Sequence, residues 1–143
     1  MGSRAVFGKA FRSVVVSSLL AGGLAVALPA GPAAAATARN GVCESGEFCL
    51  YYLWDGAGSV SDFATSISNY GSTQPTCYEF RGPGAGQGQC VKNNAWSAWN
   101  RSSRAVTVYY NSGYSGANQT YASGQKSNLS WTLQDNNASH KFR

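Results

Sequence analysis

The sequence predicts an all-β fold in which two Greek-key units form a small sandwich. After residue 38, no apolar repeat with the period of a helix persists over a helix length. Short runs rich in β-branched and aromatic residues recur instead between clusters of Gly, Asn and Ser. Two of these runs also open similar stretches of sequence, which indicates a duplicated unit.

Residues 1–38 have the organisation of a secretory signal peptide. A basic stretch over residues 4–12 precedes an apolar run over residues 14–28, and an Ala-rich segment then offers cleavage after Ala36 or Ala38. Cleavage after Ala38 is preferred. The apolar run is shorter than the roughly 20 residues that span a bilayer, so we expect removal of the segment and secretion rather than a membrane anchor.

Residues 39–143 then form one domain of about 105 residues. The formal net charge of the whole chain is +5, and the leader contributes part of it through Arg4, Lys9 and Arg12. The remaining cations are scattered along the sequence rather than clustered. We therefore expect a monomer that binds neither nucleic acid nor membranes.

Four cysteines in an exported domain favour two disulfides; they are Cys43, Cys49, Cys77 and Cys90. The sequence leaves three pairings open. The local pairs, Cys43 with Cys49 and Cys77 with Cys90, are preferred because strand-adjacent segments flank each pair. A zinc site is disfavoured, since no C-x-x-C pair is present and the compartment is oxidising.

The clearest strands are residues 47–52 (EFCLYY) and 104–110 (RAVTVYY), which are rich in β-branched and aromatic residues. Residues 81–88 (RGPGAGQG) predict an exposed loop, because glycine and proline leave little to pack. Weaker strand candidates are residues 60–63, 77–80, 89–91, 119–122, 130–133 and 139–142.

The two clearest strands begin matching segments. Residues 48–63 align without a gap with residues 106–121, pairing tyrosine with tyrosine and glycine with glycine, and residues 100–103 match residues 137–140. This predicts units at about 39–103 and 104–143, the first longer by the insertion that holds the glycine-rich loop. In each unit we expect a hairpin folded over at a glycine, covered by aromatic rings and capped by a later serine.

This aromatic and glycine pattern resembles the βγ-crystallin Greek key. The chain as a whole resembles secreted bacterial peptidase inhibitors on that fold, namely the streptomycete metalloproteinase inhibitor family. The resemblance is carried by residues 46–52 (GEFCLYY), residues 109–116 (YYNSGYSG) and the Asn-x-Ser elements. It departs at Gly56, where a second aromatic residue is expected, so the first corner must be held differently, by Trp54 or by the bridge from Cys43.

The resemblance implies inhibition of thermolysin-like zinc peptidases through a substrate-like loop restrained by a disulfide. The partner would be an extracellular zinc peptidase, which brings the metal. The inhibitory bond of the family is a Cys-Val step, and Cys90-Val91 is that step here. Val91 would then enter the specificity pocket of the enzyme. The alternative is that Cys90 and Val91 form a strand anchored to Cys77.

The resemblance also implies calcium binding, and calcium prefers six to eight oxygen ligands. The second unit offers a weak candidate at Asp135 and Asn136, although His140 stands where a closing serine is expected. The first unit, read from Ala98, has neither acid nor amide in the leading pair. We therefore expect no cofactor, with weak calcium binding as the alternative.

The sequence does not indicate an enzyme. His140 is the single histidine, lies in no nucleophile motif and is expected to be an exposed residue at a strand end, and the six acids show no paired spacing. The tryptophans permit an alternative function. Exposed rings would make the chain a carbohydrate- or cell-wall-binding module, whereas buried rings would only fill the core. They are Trp54, Trp96, Trp99 and Trp131.

Overall fold

The computed structural model describes residues 35–143, so the signal peptide assigned to residues 1–38 lies outside the described residues apart from its last four positions. The described residues form two antiparallel sheets. None of their helical segments has the length and apolar character needed to cross a membrane.

The strands, in chain order, are β1 (Phe48–Tyr51), β2 (Val60–Phe63), β3 (Ser97–Asn100), β4 (Val106–Asn111), β5 (Ser115–Tyr121), β6 (Lys126–Asn128) and β7 (Ser139–Phe142). The first sheet has the order β2-β1-β3-β6, and the second has the order β5-β4-β7. A short 3₁₀ turn, Trp54–Gly56, joins β1 to β2.

The two units exchange segments between the sheets. Strand β6 belongs to the second unit but pairs with β3 in the first sheet. In return, Ile67 of the first unit forms a bridge with His140 of β7 in the second sheet. Each sheet therefore contains a segment from both units, which is the Greek-key arrangement that the repeat predicted.

Most strand predictions overlap observed strands, and three do not. Residues 77–80 and 89–91 meet only in one bridge, between Glu79 and Cys90. The prediction for residues 130–133 is wrong, because this segment is a turn in which the Leu133 N–H donates to the Ser130 carbonyl. Strands β3 and β6 were not predicted, since their sequences, SAWN and KSN, are short and polar and depend on pairing for their conformation.

The core lies between the sheets. His140 belongs to it and is fully buried, so the expectation of an exposed position is wrong. The Tyr70 hydroxyl lies 3.0 Å from His140 Nδ1, and the Thr65 carbonyl lies 2.9 Å from Nε2. Burial lowers the pKa of His140 to about 3, so the ring is neutral. It donates through Nε2 and accepts from Tyr70. The core side chains include Phe48, Leu50, Phe63, Tyr70, Phe80, Val91, Val106, Val108, Tyr121, Leu129, Leu133 and Phe142.

Residues 111–116, the second corner, fold over as predicted. The Ser139 hydroxyl donates to the Asn111 carbonyl (2.7 Å) and accepts from the Tyr114 N–H (3.2 Å). Tyr114 has φ 60° and Gly116 has φ 82°, the left-handed conformation that a tight fold requires. The rings of Tyr109 and Tyr114 lie 6.0 Å apart and cover the corner.

Residues 53–58, the first corner, repeat this clamp with a different serine. The Ser97 hydroxyl donates to the Leu53 carbonyl (2.6 Å) and accepts from the Gly56 N–H (2.9 Å). Ser97 and Ser139 are therefore equivalent, and the alignment of residues 100–103 with 137–140 is wrong. Where Tyr114 covers the second corner, Lys126 covers Gly56 and places its ammonium 5.7 Å from the Tyr51 ring.

The buried imidazole makes stability depend on pH. Below its ordinary pKa of about 6.5, the unfolded chain binds a proton that folded His140 does not accept. As the pH is lowered from about 6 to about 5, we expect the free energy of unfolding to fall with a slope approaching about 1.4 kcal/mol per pH unit. This window lies above the ordinary pKa values of exposed carboxylates. Denaturant unfolding measures this slope. In His140→Gln it should nearly vanish, and equal slopes in both proteins would contradict the assignment.

Candidate functional site

The insertion in the first unit is a bridged loop. Disulfides join Cys43 to Cys49 and Cys77 to Cys90, which are the two local pairs. Across the base of the insertion, the Phe80 N–H donates to the Gln89 carbonyl (2.9 Å) and the Gly88 N–H donates to the Phe80 carbonyl (2.8 Å). Residues 81–89, called here the bridged loop, are mostly exposed, except that Gly82 is buried and Gly86 is half-buried.

Val91 does not belong to the exposed part. Its side chain is fully buried in the core, and its N–H donates to the Tyr78 carbonyl (2.8 Å). The Cys90 carbonyl accepts from the Asn94 side-chain amide (2.9 Å). The expectation that Val91 enters a pocket of another protein is therefore not met by this fold, because the side chain would first have to leave the core. The geometry of the Cys90-Val91 step is that of the alternative interpretation, in which both residues are anchored to Cys77.

The bridged loop packs against the first corner. The Ser59 N–H donates to the Ala85 carbonyl (2.9 Å). The Tyr52 ring lies directly on Gly86, where a Cβ would overlap it, and it also packs against Phe80, with ring centroids 5.6 Å apart. The loop and the corner therefore form one continuous surface, and glycine at position 86 permits their close approach.

The first corner also carries an apolar cleft. Leu53, Trp54 and Trp96 line a cavity of about 270 Å³. Trp54 is 50% exposed and Leu53 is 41% exposed. The Trp54 and Trp96 rings meet edge to face with centroids 5.0 Å apart. Exposed aromatic surface of this kind is typical of a binding site.

The other two tryptophans differ from this pair. Trp131 is 83% exposed and lies outside the lining of the cleft. Trp99 is half-buried, with the Arg101 guanidinium 4.7 Å and the Lys126 ammonium 5.2 Å from its ring. Cations over its face make Trp99 part of the packing of the first sheet rather than a free stacking surface.

Arg39 anchors the segment that leads into the domain. In the sequence it is one of several scattered cations, so this role could not be predicted. Its guanidinium lies 4.6 Å from the Phe63 ring and 5.2 Å from the Tyr78 ring, and it donates to the Glu79 carbonyl (2.7 Å). Burial lowers its pKa, and the neighbouring Asp62 carboxylate opposes that shift. Glu79 begins the return of the chain toward the bridged loop, so Arg39 fixes the base of that loop.

The calcium candidates lie in a turn. Asp135 is exposed and has φ 54°, and partial burial of its carboxylate raises its pKa against an opposing effect of the Trp96 side chain. The Asn136 amide donates to the Gln134 carbonyl (3.0 Å). Among residues 35–143, no three His, Cys, Asp or Glu side chains cluster closely enough to hold a metal. Calcium at Asp135 and Asn136 stays a prediction.

The clamp serines also correct the comparison of the two units at this turn. Because Ser97 corresponds to Ser139, the counterpart of Asp135 is Asn93, and both residues have positive φ, 61° in Asn93. The Asn93 N–H donates to the Asn137 carbonyl (2.8 Å), so the two turns contact each other across the units. Amides therefore stand in the first unit where the sequence alignment indicated none.

Comparison with solved structures identifies the class of fold. A chain described under the evolution of the eye lens βγ-crystallin domain fold matches with a TM-score of 0.55 at 13% identity, covering 72% of this chain and 93% of that one. A βγ-crystallin from Ciona intestinalis matches with a TM-score of 0.48 at 16% identity, covering 68% of this chain and 100% of that one. A search of curated proteins finds no significant match. The domain has the βγ-crystallin fold.

The sequence itself identifies the family. Residues 36–121 match the model of peptidase inhibitor family I36, the family of the streptomycete metalloproteinase inhibitor. This match spans the first unit, the bridged loop and both corners. The chain belongs to peptidase inhibitor family I36 and is a peptidase inhibitor rather than an enzyme.

The position of Val91 in the core gives a direct test. Val91→Asp should lower the free energy of unfolding by several kcal/mol, because it places an unpaired charge among apolar side chains. Gln89→Asp, two residues away on the exposed loop, should change it by less than about 0.5 kcal/mol. Thermal or denaturant unfolding compares them, and equal stability of the two variants would show that Val91 is not a core residue.

The contact between the loop and the first corner gives a second test. Gly88→Ala meets nothing within 4 Å and adds only the strain of φ +83°, about 1–2 kcal/mol. Gly86→Ala has similar strain at φ +87° but must also displace the Tyr52 ring, so we expect a further loss of about 1–3 kcal/mol. Unfolding free energies measure the difference. No excess loss in Gly86→Ala would mean that the two segments do not pack as described.

Proposed function

We propose that this inhibitor is secreted, that its targets are extracellular zinc peptidases of the thermolysin type, and that it presents the bridged loop to them. The proposal rests on the membership of family I36 together with one observation. The bridged loop stands exposed while the Cys77–Cys90 disulfide and the hydrogen bonds of Phe80 fix its base.

The restraint of the loop supports inhibition rather than rapid cleavage. A loop that is already ordered loses little conformational entropy on binding, so more of the contact energy contributes to affinity. In the chain-entropy model, a bridge that closes a loop of about 15 residues contributes roughly 3 kcal/mol. The same bridge would hold the two ends together if an enzyme cut the loop.

The composition of the loop supports binding in a narrow cleft. Its side chains are small or polar, and glycines occupy four of its positions, so the backbone is accessible to a partner. The chain within the loop forms successive turns, in which the Gln87 N–H donates to the Gly84 carbonyl (3.2 Å) and the Gln89 N–H donates to the Gly86 carbonyl (3.0 Å), so a partner would meet a compact projection. This mode needs no insertion of Val91, which remains in the core.

The disulfides and the family are consistent with an extracellular site of action, because structural disulfides persist in oxidising compartments. In the proposal, the signal peptide over residues 1–38 directs export, and the mature inhibitor begins at Arg39. Its guanidinium then completes the folded domain by binding the Glu79 carbonyl.

The direct test is titration of the mature protein against a thermolysin-like zinc peptidase, a serine peptidase and a cysteine peptidase. We expect inhibition of the zinc enzyme at or below micromolar protein. Inhibition of another class alone would overturn the metallopeptidase target, and no inhibition of any class would overturn the function. Pull-down on insoluble polysaccharides runs in parallel, because binding there without inhibition would favour a carbohydrate-binding module.

The two disulfides supply matched controls for the loop. Cys77→Ser/Cys90→Ser and Cys43→Ser/Cys49→Ser each remove one bridge and should each lose stability, by roughly 2–5 kcal/mol. Assayed below their melting temperatures, only the Cys77/Cys90 variant should lose inhibition strongly. Equal inhibition by both variants would contradict a role for the bridged loop.

A further inference from the structure

Apart from Arg81, whose guanidinium donates to the Arg39 carbonyl, the bridged loop lacks the large side chains that usually dominate binding. Its exposed residues are Arg81, Pro83, Gly84, Ala85, Gln87, Gly88 and Gln89. Protein interfaces obtain most of their binding free energy from a few large anchors, with tryptophan, tyrosine and arginine enriched among them. The apolar anchors of a tight inhibitor must therefore lie beside this loop rather than in it.

The first corner lies beside it and carries such side chains. A Cβ on Gly58 would lie 3.1 Å from the Ala85 carbonyl oxygen and 3.1 Å from Leu53 Cγ, so the loop and the Leu53 side chain approach the same point. Leu53 and Trp54 are two of the large apolar residues that the described part of the chain leaves exposed. They extend the surface of the bridged loop without a gap.

The backbone beneath these two side chains is held in a strained conformation. Asp55 has φ 57°, a region that costs a residue with a Cβ about 1 kcal/mol or more. Asn128 stabilises this conformation from β6, accepting from the Asp55 N–H (2.7 Å) and donating to its carboxylate (2.9 Å). Ser97 fixes the flanking groups. The equivalent Gly113 of the second corner has φ 74°, so this conformation belongs to the folded corner, and in the first corner it holds Leu53 and Trp54 in fixed positions.

We infer that Leu53 and Trp54, together with Trp96, form the apolar anchor through which this inhibitor holds its peptidase, and that the cleft between them takes an apolar side chain of the enzyme. This inference rests on the proposed function. It places the binding energy in the first corner and leaves the bridged loop to occupy the active-site cleft.

The chemistry of the cleft favours a protein side chain over a sugar. Its walls are the carbon surfaces of one leucine and two tryptophans. This lining is almost wholly apolar, so it offers few hydrogen-bonding partners to the hydroxyls of a sugar. The Asp55 carboxylate, next to Trp54 in the chain, accepts from the Asn128 amide, and Lys126 lies over the neighbouring Gly56. The corner therefore carries both signs of charge, and the apolar surface of the cleft is what selects its ligand.

The experiment measures the inhibition constant of the mature protein for the thermolysin-like peptidase in three variants. Trp54→Ala and Leu53→Ser should each raise it strongly, by about 30-fold for Trp54→Ala. Trp131→Ala removes an even more exposed tryptophan outside the cleft and should change it by less than about threefold. Both anchor residues are exposed, so the melting temperatures should shift by only a few degrees.

The outcomes separate this inference from the proposed function. If the unmodified protein inhibits no peptidase, the proposed function fails and the inference falls with it. If it inhibits while Trp54→Ala and Leu53→Ser inhibit equally well, or if Trp131→Ala weakens inhibition as much, the inference alone is wrong. Binding to polysaccharide that Trp54→Ala abolishes, with inhibition unchanged, would assign the cleft to a glycan and also overturn it.

Discussion

Each hairpin of this domain depends on one buried hydroxyl. Ser97 and Ser139 are fully buried, and each bridges the carbonyl and the N–H at the two ends of a folded corner. The corners use left-handed residues, and loss of either hydroxyl would leave one carbonyl and one N–H of a corner without these partners, which would destabilise the fold. The serines come from β3 and β7, so each hairpin is clamped by another strand of its own sheet and closes only when that strand is in place.

The surface that we propose for binding a peptidase lies where the two units differ. The second corner carries a tyrosine that covers its own hairpin. The first corner has Gly56 at that position, with Lys126 over it, and its large side chains, Leu53 and Trp54, are exposed instead. The bridged loop is inserted in the same unit and packs on the same corner. In this account duplication supplies the framework, and divergence of the first unit supplies the proposed surface for a partner.

The sequence predicted the features that depend on local chemistry. The aromatic and glycine repeat located both corners, and cysteine spacing favoured the local disulfides. It did not place β6, whose three polar residues become a strand only through pairing with β3. It placed His140 at the surface, because the sequence does not show that Tyr70 and Thr65 satisfy both ring nitrogens in the core. It left open whether Val91 is presented with the loop or anchored beside Cys77, because one dipeptide does not show that its side chain is in the core while Gln89, two residues earlier, is exposed.

The central claim is that the first corner and the bridged loop together form the face that binds a peptidase. Hydrogen–deuterium exchange of the inhibitor, alone and bound to an enzyme that it inhibits, tests this claim directly. The account predicts added protection in residues 52–59 and 81–89, with little change in the second corner. Protection concentrated in residues 110–118, with none in the two predicted segments, would contradict it.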